Sequence, residues 1–195
     1  MTKNKANNHA GSTRWLTGVA IFTAIVIVLQ LIGRYIHFGP FSISLVLVPI
    51  VTGAILYGSA AGAWLGFAFG ATVLIGGDAA PFMAVNPIGT IVTCIAKGIL
   101  AGLTVAFVYS LLQKRNENFA TIVSSFICPV VNTGVFLLGC LAFFMPTLRE
   151  WAGGKDVGVY MITGLVGINF LIELAVNMIL TPIIIRLVKI GRKSR

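Results

Sequence analysis

Charged side chains are scarce in this chain. Only 10% of its 195 residues are Asp, Glu, Lys or Arg, whereas soluble globular domains carry about 25%. Hydrophobic residues make up 57% of the sequence and lie in long runs between short polar segments. Because a membrane-spanning helix needs about 20 largely apolar residues, this composition argues against a soluble catalytic domain. It predicts an all-α integral membrane protein, a bundle of about six transmembrane helices.

Residues for common enzymatic chemistry are also few. The chain has five acidic residues, two histidines and three cysteines, and no Cys-x-x-Cys or Cys/His spacing typical of a metal site occurs. Both histidines, His9 and His37, lie outside the apolar runs, which argues against serine-protease chemistry in the membrane. Gly153-Gly154-Lys155 lacks the first glycine and the Ser/Thr of an ATP-binding phosphate loop. We therefore predict no enzymatic activity, no metal and no cofactor.

Basic residues outnumber acidic ones, and the formal net charge is +9. Ten of the fourteen Lys and Arg residues lie in the N-terminal segment, at Lys114 and Arg115, and in the C-terminal tail. Because cytoplasmic loops of membrane proteins are enriched in Lys and Arg, this pattern indicates membrane orientation rather than nucleic-acid binding. It predicts that both termini are cytoplasmic and that the loops at 34–41, 76–87 and 146–158 face outward.

Six apolar runs are predicted to form the spans, with Pro49 interrupting the second. The chain then divides into a cytoplasmic tail at 1–14, a six-helix transmembrane domain at 15–188 and a basic cytoplasmic tail at 189–195. The predicted helices cover 15–33, 43–57, 60–75, 88–112, 120–144 and a last segment that starts near Val159 and passes Pro182.

Two ionisable side chains, Lys97 and Glu173, lie inside predicted spans, where a charge is costly and is typically functional. Polar residues recur near them at helical spacing, so each set shares one helix face. The first three spans have almost no such residues. A polar interior is therefore predicted between the last three spans, lined by Thr90, Thr93, Lys97 and Thr104 on the fourth, Ser125, Cys128 and Asn132 on the fifth, and Asn169, Glu173 and Asn177 on the sixth.

Two interpretations of these polar residues stay open at the level of sequence. Lys97 and Glu173 either form a structural ion pair between two helices, since buried charges must be compensated, or contact a polar solute. Asn132 and Asn169 likewise either bind solute or form hydrogen bonds between helices. Interhelical hydrogen bonding is the preferred interpretation for Asn177.

The third span carries Gly62, Gly66 and Gly70 at four-residue spacing. Small residues at this spacing let two helices approach closely, so we interpret the glycine ladder as a packing surface. Trp64 and Phe69 on the same span are expected to face lipid.

Several short motifs follow one another along the spans. They are Ala20-Ile-Phe-Thr-Ala24, Phe38-Gly39-Pro40-Phe41 before a Pro49-containing helix that ends at Tyr57-Gly58, Gly62-Ala-Trp-Leu-Gly66, Asn86-Pro87 and Lys97-Gly98-Ile-Leu-Ala-Gly102. In this order, and over all six spans from Trp15 to Leu187, the sequence resembles the substrate-binding S components of energy-coupling-factor (ECF) vitamin transporters.

The resemblance implies a bacterial cell-membrane protein that captures a vitamin from outside with high affinity. It also implies docking through Ala20 and Ala24 on a coupling transmembrane subunit, two partner ATPase subunits that supply the energy, and toppling of the S component to release the vitamin inside. It places the solute site in the outward loops and the last three helices. The candidate substrate-binding residues are Lys97, Asn132, Asn169, Arg34 and Asn86, with Glu173 as a partner behind Lys97.

The identity of the solute is the least determined feature. The whole chain, including Cys128-Pro129-Val-Val-Asn132-Thr-Gly134, is most similar to pantothenate-type S components. The carboxylate of pantothenate suits Lys97 or Arg34. The alternatives are another water-soluble vitamin, a non-transport scaffold subunit of the membrane, or a small channel or stand-alone carrier; the last is disfavoured because no internal repeat is evident.

Overall fold

The protein is almost entirely helical over the residues that its computed structural model describes, which are 2–33, 37–38, 41–42 and 45–193. A short β-hairpin pairs His37 with Ser42 and Phe38 with Phe41. In chain order the elements are α1 (Thr2–Gly33), β1 (His37–Phe38), β2 (Phe41–Ser42), α2 (Leu47–Tyr57), α3 (Ser59–Gly76), α4 (Ala80–Val85), α5 (Pro87–Leu112), α6 (Glu117–Phe143), α7 (Met145–Trp151), α8 (Val157–Tyr160), a π-helical segment (Met161–Val166) and α9 (Gly167–Lys193).

Within the described ranges, five helices are long and apolar enough to cross a membrane. This confirms the predicted all-α membrane architecture. Helix α1 begins at Thr2, inside the segment predicted as the N-terminal tail, and the division of the chain into tails and a transmembrane domain stays a prediction. The five spanning segments are Thr13–Gly33, Ser59–Gly76, Pro87–Leu112, Glu117–Phe143 and Asn169–Arg192.

The second apolar run forms a helix much shorter than a membrane span. Helix α2 has 11 residues and is therefore about 16 Å long, against a hydrocarbon core of about 30 Å. Pro49 lies in its first turn rather than interrupting it, because the first turn of a helix needs no donated backbone N–H. The predicted start at Ile43 lies outside the described residues.

Helix α2 forms the centre of the bundle. Nine of its 11 residues are buried, and it contacts α1, α3, α5, α6 and α9. Its interior residues, including Leu47, Ile50 and Val51, belong to the main hydrophobic cluster. Because α2 is buried on all sides, its sequence is a continuous apolar run and has no amphipathic pattern.

The glycine ladder of α3 packs directly on the backbone of α5. A Cβ atom added at Gly66 would overlap the carbonyl oxygen of Gly98, and one added at Gly62 would overlap that of Gly102. Gly70 meets the carbonyl of Cys94 in the same way. The prediction of a packing surface is confirmed: α3 and α5 lie in backbone contact along this ladder.

The sixth predicted helix is broken near its start. Helix α8 begins at Val157, and the π-helical segment that follows ends at Val166. The next residue, Gly167, has a φ of 8° and a ψ of −110°, which are not helical. π-Helical turns are rare and are frequently found at functional sites. This break comes just before Asn169, where the polar stripe of the sixth span begins.

The bundle has two distinct ends. The hairpin end carries β1, β2, α4 and α7, and the basic end carries the turn at Gly58, the segment 113–116 and the last turns of α9. Phe69 and Leu47 each lie ten residues along the chain from the helix ends that flank Gly58, and therefore about 15 Å from the basic end. Because α2 extends only this far from the basic end, it does not fill the half of the bundle nearer the hairpin end.

Candidate functional site

Lys97 lies near the level at which α2 begins. Its Nζ is 5.3 Å from the ring centroid of Phe69 on α3 and 5.4 Å from that of Phe136 on α6. Both distances are within the range of an attractive cation–π interaction. Two aromatic faces thus hold the ammonium in place. Because no carboxylate pairs with it in the described ranges, its hydrogen-bond donors are available to an anionic group.

The expectation that Phe69 faces lipid is wrong. Phe69 is only 1% exposed, because it follows Gly66 by three residues and so belongs to the face that packs on α5. Trp64, in contrast, is half exposed, and its Nε1 donates a hydrogen bond of 3.1 Å to Thr23 Oγ1 on α1.

No ion pair joins Lys97 to Glu173 in the described part of the chain, so the structural pairing considered above is not formed. Glu173 lies within electrostatic range of Cys128, whereas Lys97 lies over Phe136. These two α6 residues are eight positions apart, about 12 Å along the helix. Cys128 and Phe136 thus mark two levels along one face of α6.

Asn132 lies midway between those two levels, on the same face of α6. It is buried, and its Oδ1 has no hydrogen-bond partner among the described residues. The same holds for the buried oxygens Thr93 Oγ1 on α5, Ser125 Oγ on α6 and Asn169 Oδ1 on α9. A buried polar atom without a partner costs free energy, so each of these oxygens is a candidate for a hydrogen bond with a polar solute.

Asn177 resembles the other two asparagines in that its Oδ1 has no hydrogen-bond partner among the described residues, but its amide nitrogen does have one. Its Nδ2 donates a hydrogen bond of 3.0 Å to the backbone carbonyl of Glu173, within its own helix rather than between helices as expected. Asn177 is fully buried, and this bond fixes its side chain against the backbone of α9. This hydrogen bond gives Asn177 a structural contact at the end of the stripe nearer the basic end.

The structure gives Asn86 a local role. Its Oδ1 accepts a hydrogen bond of 2.9 Å from the backbone N–H of Gly89 and caps the first turn of α5, as an N-cap asparagine commonly does. Its side-chain N–H groups are the part that remains for a solute. Arg34, the other loop candidate, lies outside the described residues.

An aromatic cluster closes the bundle at the hairpin end. The ring of Phe82 on α4 makes edge contacts with Phe136, Phe144 and Trp151, at centroid distances of 5.7, 5.0 and 5.4 Å. Since Phe136 also lies beside Lys97, the cluster links α4 and α7 to the candidate site. Sequence reasoning missed Phe82, because nothing in its local pattern identifies its neighbours.

A second missed contact joins α1 to the loop before α4. The Nε2 of Gln30 donates a hydrogen bond of 2.8 Å to Asp78 Oδ2. Gln30 is buried near the hairpin end of α1, one of the three spans predicted to have almost no polar residues facing a polar interior. The available signal was a single glutamine within an otherwise apolar run.

Comparison with known proteins agrees with this architecture. The sequence profile of the family described as "ECF transporter, substrate-specific component" matches residues 14–185. The pantothenic acid transporter PanT of Lactococcus lactis subsp. cremoris (strain MG1363) is 29% identical to this chain, in a match that covers 95% of each protein. The chain is thus a multi-pass protein of the bacterial plasma membrane, and it belongs to the family of substrate-specific components of ECF transporters.

Proposed function

We propose that this chain is the pantothenate-binding S component of an ECF importer. The observation that carries the proposal is the arrangement around Lys97, whose ammonium lies over two aromatic rings. The same bundle holds the Oδ1 atoms of Asn132 and Asn169, which have no hydrogen-bond partner among the described residues. Pantothenate offers a carboxylate, two hydroxyls and an amide N–H. The name of the Lactococcus lactis relative supports the same solute.

In the proposed complex the carboxylate accepts hydrogen bonds from Lys97, and the asparagine oxygens accept from the hydroxyls and the amide. Charge-assisted hydrogen bonds of this kind are stronger than neutral ones. Glu173, one turn beyond Asn169 on α9, bounds the deep end of the site. Arg34 and the side-chain N–H groups of Asn86 are proposed to contact the solute from the hairpin end.

We further propose an orientation and partners for this subunit. The hairpin end faces outward and both termini are cytoplasmic, as the distribution of Lys and Arg indicates. Ala20 and Ala24 are exposed on α1 and form the face that docks on a coupling transmembrane subunit. Two ATPase subunits supply the energy, and the chain itself hydrolyses no ATP. Calorimetry with detergent-purified protein and a panel of water-soluble vitamins tests the solute assignment, and tight binding of a different vitamin would overturn it.

Lys97→Met is expected to weaken pantothenate binding at least about tenfold, which corresponds to 1.4 kcal/mol. The substitution keeps an unbranched apolar chain and removes the charge that the carboxylate needs. The comparison ligand is the alcohol in which a hydroxymethyl group replaces the carboxylate. Calorimetry should show that the variant binds this alcohol as the parent does. If the substitution lowers both affinities and the thermal midpoint together, Lys97 has a structural role instead.

Asn132→Ala and Asn169→Ala are each expected to weaken pantothenate binding while leaving the thermal midpoint nearly unchanged. Neither Oδ1 has a hydrogen bond with the described part of the protein, so truncation removes contacts to solute rather than to protein. Asn177→Ala is the matched control, because it loses the hydrogen bond to Glu173 and should lower the midpoint. Parent-like affinity in both of the first two variants would place the solute elsewhere.

A further inference from the structure

A cleft at the basic end lies far from the proposed solute site. Its volume is about 650 Å³, and it lies between the C-terminal ends of α2, α5 and α9. Small-ligand pockets range over roughly 300–1,000 Å³. Tyr109, which lines the cleft, follows Lys97 by twelve residues, about 18 Å along α5. The cleft is thus a separate feature.

One end of the cleft is polar. Arg192 pairs with Glu117, and its Nη2 donates a hydrogen bond of 2.9 Å to Gln113 Oε1. The guanidinium carbon lies 5.3 Å from the ring centroid of Tyr109. These contacts fix the guanidinium in the wall of the cleft, with donors left over, since a guanidinium carries five N–H groups.

The hydroxyl of Tyr109 is buried without a hydrogen-bond partner among the described residues. The whole residue is only 3% exposed. Since buried tyrosine hydroxyls usually find a partner, this unpartnered donor points to an acceptor supplied by a ligand. Together, Tyr109 and Arg192 present hydrogen-bond donors and a positive charge at the same end of the cleft.

The other wall of the cleft is apolar and faces the bilayer. Leu103 and Phe107 are 36% and 63% exposed and lie one turn apart on α5, within a segment long and apolar enough to span the membrane. The cleft therefore has donors at the end of the span and an apolar wall along it. This amphipathic arrangement matches a phospholipid, with its phosphate at the membrane surface and its acyl chains along the helix.

Charge around the cleft selects the type of headgroup. Lys114, Arg115, Arg186 and Lys189 are exposed at the same end of the bundle, whereas the nearby carboxylate of Glu117 is paired with Arg192. Clusters of basic residues next to a membrane span favour anionic lipids. A zwitterionic headgroup is less well suited, because it would place its own positive charge beside these basic side chains.

We propose that the cleft binds one anionic phospholipid from the adjacent leaflet. The lipid phosphate accepts hydrogen bonds from the Tyr109 hydroxyl and the Arg192 guanidinium, and one acyl chain lies along Leu103 and Phe107. This lipid site is independent of the solute that the protein carries and of the direction in which the bundle is inserted.

Native mass spectrometry of the detergent-purified full chain tests the proposal, with phosphatidylglycerol and phosphatidylcholine of identical acyl chains as probes. We expect one phosphatidylglycerol to be retained per chain, with at least tenfold preference over phosphatidylcholine. Tyr109→Phe, which removes only the hydroxyl, should weaken retention severalfold. Arg192→Gln should abolish the preference for the anionic lipid.

Arg186→Gln is the matched control, because it removes one exposed positive charge from the same end of α9 and Arg186 does not line the cleft. It should reduce retention of phosphatidylglycerol far less than Arg192→Gln does. Equal losses in Arg186→Gln and Arg192→Gln would mean diffuse attraction and overturn the site. Displacement of the lipid by millimolar inorganic phosphate would assign the cleft to a free anion. Displacement by pantothenate would assign it to the solute, and either result would refute the lipid proposal.

Discussion

Gly66→Ala is expected to lower the thermal midpoint of the protein more than any other single methyl addition in the glycine ladder. The new Cβ would overlap the carbonyl group of Gly98 and approach the backbone nitrogen of Ile99. Backbone atoms in a helix cannot rotate away as a side chain can, so α3 and α5 must separate along their whole contact. Overpacking of a core typically costs about 1–3 kcal/mol, occasionally more, and we expect this variant at the upper end of that range.

Gly134→Ala is the matched control for this prediction. Gly134 also lies within a long helix, α6, but a Cβ atom added there would meet nothing within 4 Å. Alanine is a better helix former than glycine by about 0.5–1 kcal/mol, so this variant should melt at or slightly above the parent midpoint. The measurement is the fraction of monodisperse protein left after heating in detergent. Equal midpoints for the two variants would contradict the backbone contact between α3 and α5.

The membrane architecture follows from the sequence because the bilayer imposes simple rules. A spanning helix must satisfy its own backbone hydrogen bonds and be long enough to cross the hydrocarbon core, so composition and run length are sufficient to find it. The four-residue spacing of Gly62, Gly66 and Gly70 predicted a packing face for the same kind of reason, since periodicity fixes which residues share a side of a helix.

Helix α2 shows where those rules fail. Its apolar run predicted a spanning helix like the others, yet the helix begins only at Leu47 and is enclosed by five neighbours. Run length alone does not distinguish a short helix buried in a bundle from one that faces lipid. Pro49 gave a local signal, but it marks the first turn of the helix and not a break within it.

Contacts between residues of different helices were harder to predict than which residues share one face of a helix. Phe69 was expected in lipid, although its spacing from Gly66 places it on the face that packs on α5 and beneath Lys97. The edge contacts of Phe82 join residues more than fifty positions apart, and no local pattern contains that information. The polar stripes were predictable by periodicity, whereas the contacts of Lys97 with the rings of Phe69 and Phe136 were not.

Replacing Ala24 or Ala20 with tryptophan is expected to abolish vitamin uptake by cells while the isolated protein still binds its solute. Both alanines are exposed on α1, whereas Val19 and Val26 of the same helix face the interior. An indole at either position therefore projects away from the bundle and leaves its packing intact. On the proposed docking face it would hold the partner helix away, because close helix approach needs small side chains.

The matched control is Ala175→Trp, an exposed alanine on α9 that lies on the side of the helix opposite the polar stripe. This variant introduces the same bulk into a spanning helix but away from α1, so uptake should stay near the parent level. Uptake of labelled solute by cells that contain all transporter subunits is compared with calorimetric binding by each purified variant. If the α1 variants lose binding and uptake together, α1 stabilises the fold of this subunit and its exposed alanines are not a docking face. If they keep full uptake, the partner docks on another surface.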